Sequence, residues 1–433
     1  MLASLTAFAA VLVLSLLGVP LAFSTLFVGG IGILWLRGFD ATAGLTGQWI
    51  LEVSMNYGLS VIPLFILMGA FIHRSKISED LYEASNAWLG HLKGGLAMAT
   101  VFACAGFAAV CGSSLATAAT MSRVAMPPMR KYGYNDGLST GTIAAGGTLG
   151  IMIPPSVPMV IYAIIVSADI GALFIAGIVP GLMLVSLFIL AIAVLVRLRP
   201  ELGPVGEKIT VSERFRRSLG VYPVIGLFVI VLGGIYTGIF TPTESAAVGA
   251  FGAYVFAVSR GYMRTLKELA AAFGEAVRTT AMIFTILFCG LVLAQFVNLT
   301  GMPFQLVDLV VAEDGGISAT TLIIGICIIC VIMGMIFESL GILLLVVPVF
   351  LPSLEALDVD MIWFGIIIIV VIELGLISPP IGMNVFTVKA VVSDVPLMRI
   401  FAGVLPFIAA MLIGLILLFF VPEIATFMPN LMR

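Results

Sequence analysis

Apolar stretches recur from one end of the chain to the other. They fall roughly at 3–18, 20–36, 45–72, 94–112, 115–129, 137–167, 171–196, 219–240, 243–259, 276–297, 318–336, 338–352, 361–393 and 400–421, with polar gaps between most of them. Runs near 20 residues predict membrane-spanning helices. A membrane β-barrel would instead read as alternating segments of about ten residues, and none occur. The pattern predicts an all-α polytopic membrane protein. The longest polar gap, 197–218, carries Arg197, Arg199, Lys208, Arg214, Arg216 and Arg217 and reads as an exposed linker between two halves. Residues 76–93 set Leu81, Trp88, Leu89 and Leu92 against charged positions, the pattern of an amphipathic helix lying in the membrane interface. Residues 302–312 match it with acidic charge only. Such flat helices either brace a moving domain or simply pack at the interface.

Two apolar regions are paired arms around a polar tip. Residues 94–129 flank Cys111-Gly112-Ser113-Ser114, and residues 318–352 flank Phe337-Glu338-Ser339-Leu340-Gly341. Each pair is two crossings or one re-entrant hairpin. Cytoplasmic loops are enriched in Lys and Arg. With the N-terminus outside, 18 of the 20 basic residues fall on or near the cytoplasmic side, leaving Arg37 and Arg433 outside. The outer loops carry Asp308, Glu313, Asp314, Glu355, Asp358 and Asp360. Charge thus assigns the sides, with both termini periplasmic, but not the hairpins, since each alternative adds an even number of crossings.

Composition narrows the class. The chain is 61% hydrophobic and 10% charged over 433 residues, with mean hydropathy +1.23, against about 25% charge in a soluble domain. A net charge of −3 offers no basic surface for nucleic acid. The 46 Gly and 21 Pro are many for so apolar a chain. Helix breakers at membrane depth are tolerated where the freed backbone faces protein or a cavity, so broken helices are expected. The five Cys (104, 111, 289, 327, 330) lie in apolar segments and read as packing rather than disulfides or a redox pair. His73 and His91 lack metal-ligand spacing. The first residues lack the charged start and cleavage site of a removable signal peptide.

A repeat sharpens the picture. Gly150-Ile-Met-Ile-Pro154-Pro155 recurs as Gly375-Leu-Ile-Ser-Pro379-Pro380, 225 residues later, and the same offset sets Ser114-Leu115 on Ser339-Leu340 and Pro127 on Pro352. By the charge pattern, 137–167 runs inward to outward and 361–393 the reverse. The units are therefore predicted to be two inverted repeats, each a re-entrant hairpin plus a Pro-Pro-broken helix. That is the architecture of secondary transporters. The expected layout is scaffold helices and a cytoplasmic arm helix at 1–93 and a first core half at 94–168. Scaffold with the linker and outer arm follows at 169–317, a second core half at 318–393 and a C-terminal helix at 394–433. The total is about ten crossings plus two hairpins.

Each double proline removes an N–H and disfavours helix before it. The opened helix frees carbonyls suited to Na⁺, and the half-helix that follows presents N–H groups suited to a carboxylate. Thr148, Gly150 and Ser156 flank the first break; Gly375, Ser378 and Asn384 flank the second. Ser113 and Ser114 offer hydroxyls at the first tip, where the second has Glu338-Ser339. An ionisable residue inside a hairpin is a functional candidate by default; Glu338 is open to binding a cation, carrying a proton or pairing with an Arg. No Walker A, His-Glu-x-x-His or Gly-x-Ser-x-Gly sequence occurs, so an enzyme is not expected. An ion-driven carrier leads. An assembly subunit without its own transport site, a proton-coupled carrier using Glu338 and an intramembrane enzyme using Glu338 stand as alternatives.

These motifs, Gly146-Gly-Thr-Leu-Gly-Ile-Met-Ile-Pro-Pro-Ser-Val-Pro-Met, Gly375-Leu-Ile-Ser-Pro-Pro-Ile-Gly-Met-Asn and Gly112-Ser-Ser-Leu-Ala-Thr-Ala, resemble the large membrane subunit of tripartite ATP-independent periplasmic (TRAP) transporters over essentially the whole chain. The resemblance implies Na⁺-coupled uptake of an organic acid across a bacterial inner membrane by an elevator motion. The substrate would be a C4-dicarboxylate, sialic acid or a similar carboxylate, with no cofactor beyond Na⁺. It implies two partners, a periplasmic substrate-binding protein and a small four-helix membrane subunit. Carried over, sodium would be held by Gly112, Ser113 and Ser114 with Thr148, Gly150 and Pro154, and by Glu338 and Ser339 with Gly375, Ser378 and Pro379. Substrate would touch Ser114, Pro155, Ser156, Ser339, Pro380 and Asn384.

Overall fold

The structure is a computed structural model, and residues 1–311 and 316–431 are described. Ala312, the last residue of the expected outer arm helix, and the outer charges Glu313, Asp314 and Arg433 lie outside the described residues. The rest is helical, with no strand among the described residues. In order the helices are α1 (Leu2–Leu16), α2 (Leu21–Arg37), α3 (Phe39–Met55), α4 (Val61–Arg74), the arm α5 (Ile77–Leu89), α6 (Gly95–Cys111) and α7 (Ser114–Lys131). There follow α8 (Asp136–Met152), α9 (Val157–Ile165), α10 (Ile170–Leu198), α11 (Val211–Ser218), α12 (Tyr222–Tyr236), α13 (Pro242–Ser259) and α14 (Leu266–Leu299). The chain ends with the outer arm α15 (Met302–Val311), α16 (Ala319–Gly334), α17 (Ser339–Ala356), α18 (Met361–Ile377), α19 (Met383–Val391), α20 (Leu397–Phe420) and α21 (Glu423–Asn430).

The expected hairpins are α6–α7 and α16–α17, and the expected broken helices are α8–α9 and α18–α19. The two four-helix units run in the same order at the 225-residue offset. Two expectations need correction. The stretch 45–72 is not one helix: Asn56 ends α3 and its side chain caps a short 3-10 turn at Gly58 before α4. The helix expected at 276–297 is α14, 34 residues long, because a capping box of Thr265 and Glu268 starts it earlier in polar sequence. At 1.5 Å per residue it is about 51 Å long, well beyond the ~30 Å hydrocarbon core. The exposed linker 197–218 gains local order, since α11 forms its last eight residues.

Length alone supports fewer crossings than the ten expected. Among the described residues six helical stretches are long and apolar enough to span a membrane, and α8 with α9, bent by 44°, adds a seventh. The arms α6, α16 and α18 have 16 or 17 residues, at the short end of the ~17–25 that a crossing takes.

Two packing groups emerge. One gathers α6, α7, α8, α18 and α20, joined by α10, which the sequence grouped with the scaffold. The other sets α4 against α13 and α14, and α14 against α2. Close approach in the first group depends on glycine. Gly141 of α8 and Gly403 of α20 leave no room for a Cβ, which would run into the backbone of Gly403 and of Gly137 respectively. Buried Tyr162 donates from its hydroxyl to Met361 O at 2.7 Å, joining α9 to the start of α18, and Trp363 Nε1 donates to Leu418 O at 2.8 Å. The arm α5 is held by α11: Trp88 Nε1 donates to Ser218 Oγ at 2.9 Å and its ring meets Phe215 edge-on. Arg260, at the end of α13, pairs with Asp80 on the same arm.

Candidate functional site

At the first tip, α6 ends on Gly112 with φ +63°, a left-handed turn that favours glycine. Its N–H donates to Ala108 O at 3.1 Å. Ser113 then starts α7, accepting at Oγ from Ala116 N at 3.4 Å. The tip lies directly on the first break. A Cβ on Gly112 would stand 2.8 Å from Pro155 O, and one on Gly150 2.6 Å from Ser113 O. Pro154 and Pro155 are buried in the extended turn between α8 and α9, and their peptide bond is cis. Thr148 Oγ1 donates within its own helix to Ala145 O at 2.6 Å. Ser156 Oγ is buried without a hydrogen-bond partner among the described residues.

The second tip and break join differently. Gly382, also left-handed at φ +63°, donates its N–H to Met335 O at 3.1 Å, tying the start of α19 to the tip. Gly334 and Gly375 cross backbone to backbone: a Cβ on Gly375 would stand 2.6 Å from Gly334 Cα. Ser378 Oγ donates to Leu374 O at 2.7 Å. The Pro379–Pro380 peptide is likewise cis, but both prolines are exposed where Pro154 and Pro155 are buried.

Both tips open on one cavity of about 460 Å³. Gly112, Ser113 and Ser114 line it from the first tip and Glu338 and Ser339 from the second. The opposite wall is α4, through Ile66, Gly69, Ala70 and His73, and α14, through Glu275, Thr279, Met282 and Ile283. Along α7 the lining residues Ala116, Ala119, Thr120 and Arg123 share one face at helical spacing. His73, Arg123 and Glu275 also line the cavity, and Arg74 pairs with Glu275 at 2.9 Å.

The cavity therefore unites the predicted tip residues. Thr148, Gly150, Pro154, Pro155 and Ser156 stand behind the first tip, and Gly375 and Ser378 behind the second. Of the six residues expected to touch substrate, Ser114 and Ser339 line the cavity and Pro155, Ser156, Pro380 and Asn384 do not. Asn384 is fully buried against α8, with Nδ2 donating to Ala144 O at 3.4 Å and Oδ1 unpartnered among the described residues.

One residue was missed. Glu373, 1% exposed, accepts the Ser114 hydroxyl at 2.8 Å from each carboxylate oxygen. It is the one charged residue of α18 and stands 225 residues after Thr148, so both the apolar run and the repeat pointed to it. A second link between the halves lies at the polar ends of these helices. Arg130 pairs with Asp136 at 3.0 Å and with Asp394 at 2.5 Å, and the guanidinium holds the Asp394 carboxyl below the usual carboxylate range.

The family model for the tripartite ATP-independent periplasmic transporter, DctM component, matches residues 8–424. The chain is 36% identical to the C4-dicarboxylate TRAP transporter large permease protein DctM of Pseudomonas aeruginosa, across 88% of each chain. It is 32% identical to the ectoine TRAP transporter large permease protein TeaC of Halomonas elongata, across 96% of this chain and 97% of that one. In fold it is similar to the Alcanivorax borkumensis YdaH transporter, with a TM-score of 0.64 at 15% identity, covering 88% of this chain and 89% of that one. A multi-pass membrane protein with two hairpin tips on one cavity, matched along nearly its whole length, this chain belongs to the TRAP transporter family as a large permease component.

Proposed function

We propose that this chain is the translocating subunit of a transporter that imports an organic acid across the bacterial inner membrane, driven by a Na⁺ gradient. The observation that carries the reading is the convergence of both hairpin tips on one cavity bounded by α4 and α14. The oxygens around the tips are hydroxyls, backbone carbonyls and two carboxylates, Glu338 and Glu373. These hard oxygen ligands suit a small hard cation. Buried Ser156 Oγ, without a partner among the described residues, adds a free ligand behind the first tip. The half-helices after the breaks supply N–H groups for a carboxylate. The names of the relatives, C4-dicarboxylate and ectoine, point to carboxylate-bearing solutes as the class.

In this reading the helices grouped around α8, α18 and α20 carry the site past α4, α13 and α14 in an elevator motion. A small membrane subunit packs on the scaffold, a periplasmic binding protein delivers substrate, and both termini face the periplasm. The test is uptake of a labelled carboxylate into proteoliposomes holding the permease and its two partners. Uptake is expected to need both inward Na⁺ and the binding protein, and to fall to background in Ser113→Ala, Ser114→Ala and Glu338→Gln while membrane insertion persists. Uptake indifferent to Na⁺ and binding protein overturns the reading. Glu338, lining the cavity without a hydrogen-bond partner among the described residues, favours one second reading, proton coupling. A pH gradient driving uptake without Na⁺ would establish it.

A further inference from the structure

A serine hydroxyl has one proton to give. Ser114 is buried, and its hydroxyl lies 2.8 Å from both oxygens of Glu373. With Glu373 ionised, that proton is committed to the carboxylate, and the oxygen lone pairs are left for another partner. A hydroxyl held this way is a ready cation ligand, because its positive end is turned away. Around metal ions, partners just behind the ligands fix ligand orientation in this manner. Glu373 itself is 1% exposed and pairs with no Lys, Arg or His among the described residues. A buried carboxylate without a compensating positive charge is costly. A cation at the neighbouring tip would supply that charge.

We propose that Glu373 is a positioning residue for sodium at the first hairpin tip, acting through the Ser114 hydroxyl. The contact spans the two repeats, since Ser114 begins the second arm of the first hairpin and Glu373 sits two residues before Gly375 at the second break. The first ion site is then completed by the second repeat, and filling it is felt directly by α18. This rests on the reading that the first tip holds Na⁺.

The experiment is thermal unfolding of the purified full-length permease, titrated with NaCl against choline chloride at constant ionic strength. The wild type is expected to gain a saturable Na⁺-specific stabilisation. Glu373→Gln keeps the volume but removes the charge and lets an amide donate to Ser114. It is expected to raise the half-saturating Na⁺ concentration by roughly tenfold to a hundredfold, the usual effect of losing such a partner. Glu373→Asp, which keeps the charge on a shorter stem, is expected to raise it by less and serves if the first variant does not fold. A purely structural hydrogen bond would lower the unfolding temperature equally in both salts and leave the half-saturating concentration unchanged. That result, in either Glu373 variant, overturns the inference while Na⁺ binding stands. A wild type indifferent to Na⁺ overturns the sodium reading itself.

Discussion

Gly150→Ala adds one methyl group where the first break meets the first tip. Its Cβ would stand 2.6 Å from Ser113 O, 2.7 Å from Ser113 C and 2.8 Å from Thr117 Oγ1. The first two are backbone atoms and cannot rotate aside. To reach the 3.4 Å at which ordinary contact begins, the tip must withdraw from α8. The retreat, about 0.8 Å, exceeds the ~0.5 Å within which a binding constellation must be held. Overpacking of this kind costs about 1–3 kcal/mol, so the protein is expected to fold and insert. Its Na⁺ half-saturation for uptake is expected to rise at least tenfold, the lower end of what disturbed ligand orientation does to metal affinity. The assay is uptake in proteoliposomes across a Na⁺ series, with unfolding temperature measured alongside. Gly274→Ala is the control. That glycine lies exposed within α14 with no atom within 4 Å of a built Cβ, and the exchange should stabilise by about 0.5–1 kcal/mol. Gly150→Ala with wild-type half-saturation would show that tip and break do not touch in the working protein.

Two further outcomes are expected. Gly375→Ala forces Gly334 Cα away from the 2.6 Å approach, so α16 and α18 should separate, with a loss of roughly 1–3 kcal/mol read as a lower unfolding temperature; unchanged stability would refute the close crossing. Because Arg130 lowers the Asp394 pKa, the pair contributes stability that is present above the unfolded carboxylate's pKa and lost as pH falls through the lower folded value. Unfolding scans from pH 7 down to about pH 3, spanning the ordinary carboxylate range, should therefore show a larger loss in wild type than in Asp394→Asn. Parallel losses would refute the pairing.

Much of this arrangement is written locally. The repeated Pro154-Pro155 and Pro379-Pro380 pairs end α8 and α18, and Gly112 ends α6, so tips and breaks are visible from residue type and the offset between copies, whereas Pro127-Pro128 is carried inside α7. Asn56 was hidden because one polar residue inside an apolar stretch hardly changes hydropathy, yet its side chain caps a turn that splits α3 from α4. The early start of α14 was hidden for the opposite reason: its first turns are polar, and a hydropathy reading discards them. The pairing of Ser114 with Glu373 joins positions 259 apart, which no local pattern encodes. Glu373 alone was visible, as a charge in an otherwise apolar run, by the same rule that singled out Glu338. Asn384 shows the limit of reading by neighbourhood: it follows the second break in sequence, but its helix turns it into α8 rather than toward the cavity.

The glycine contact between α8 and α20 has a practical meaning. Gly141 and Gly403 bring the α8 and α20 backbones into direct contact over a long shared face, so under the proposed elevator motion α20 would travel with α8. The last helices would then belong to the mobile part. A spin label or fluorophore attached after α21, paired with one at the start of α14, would report transport as a change in a single distance, with no label near the ions.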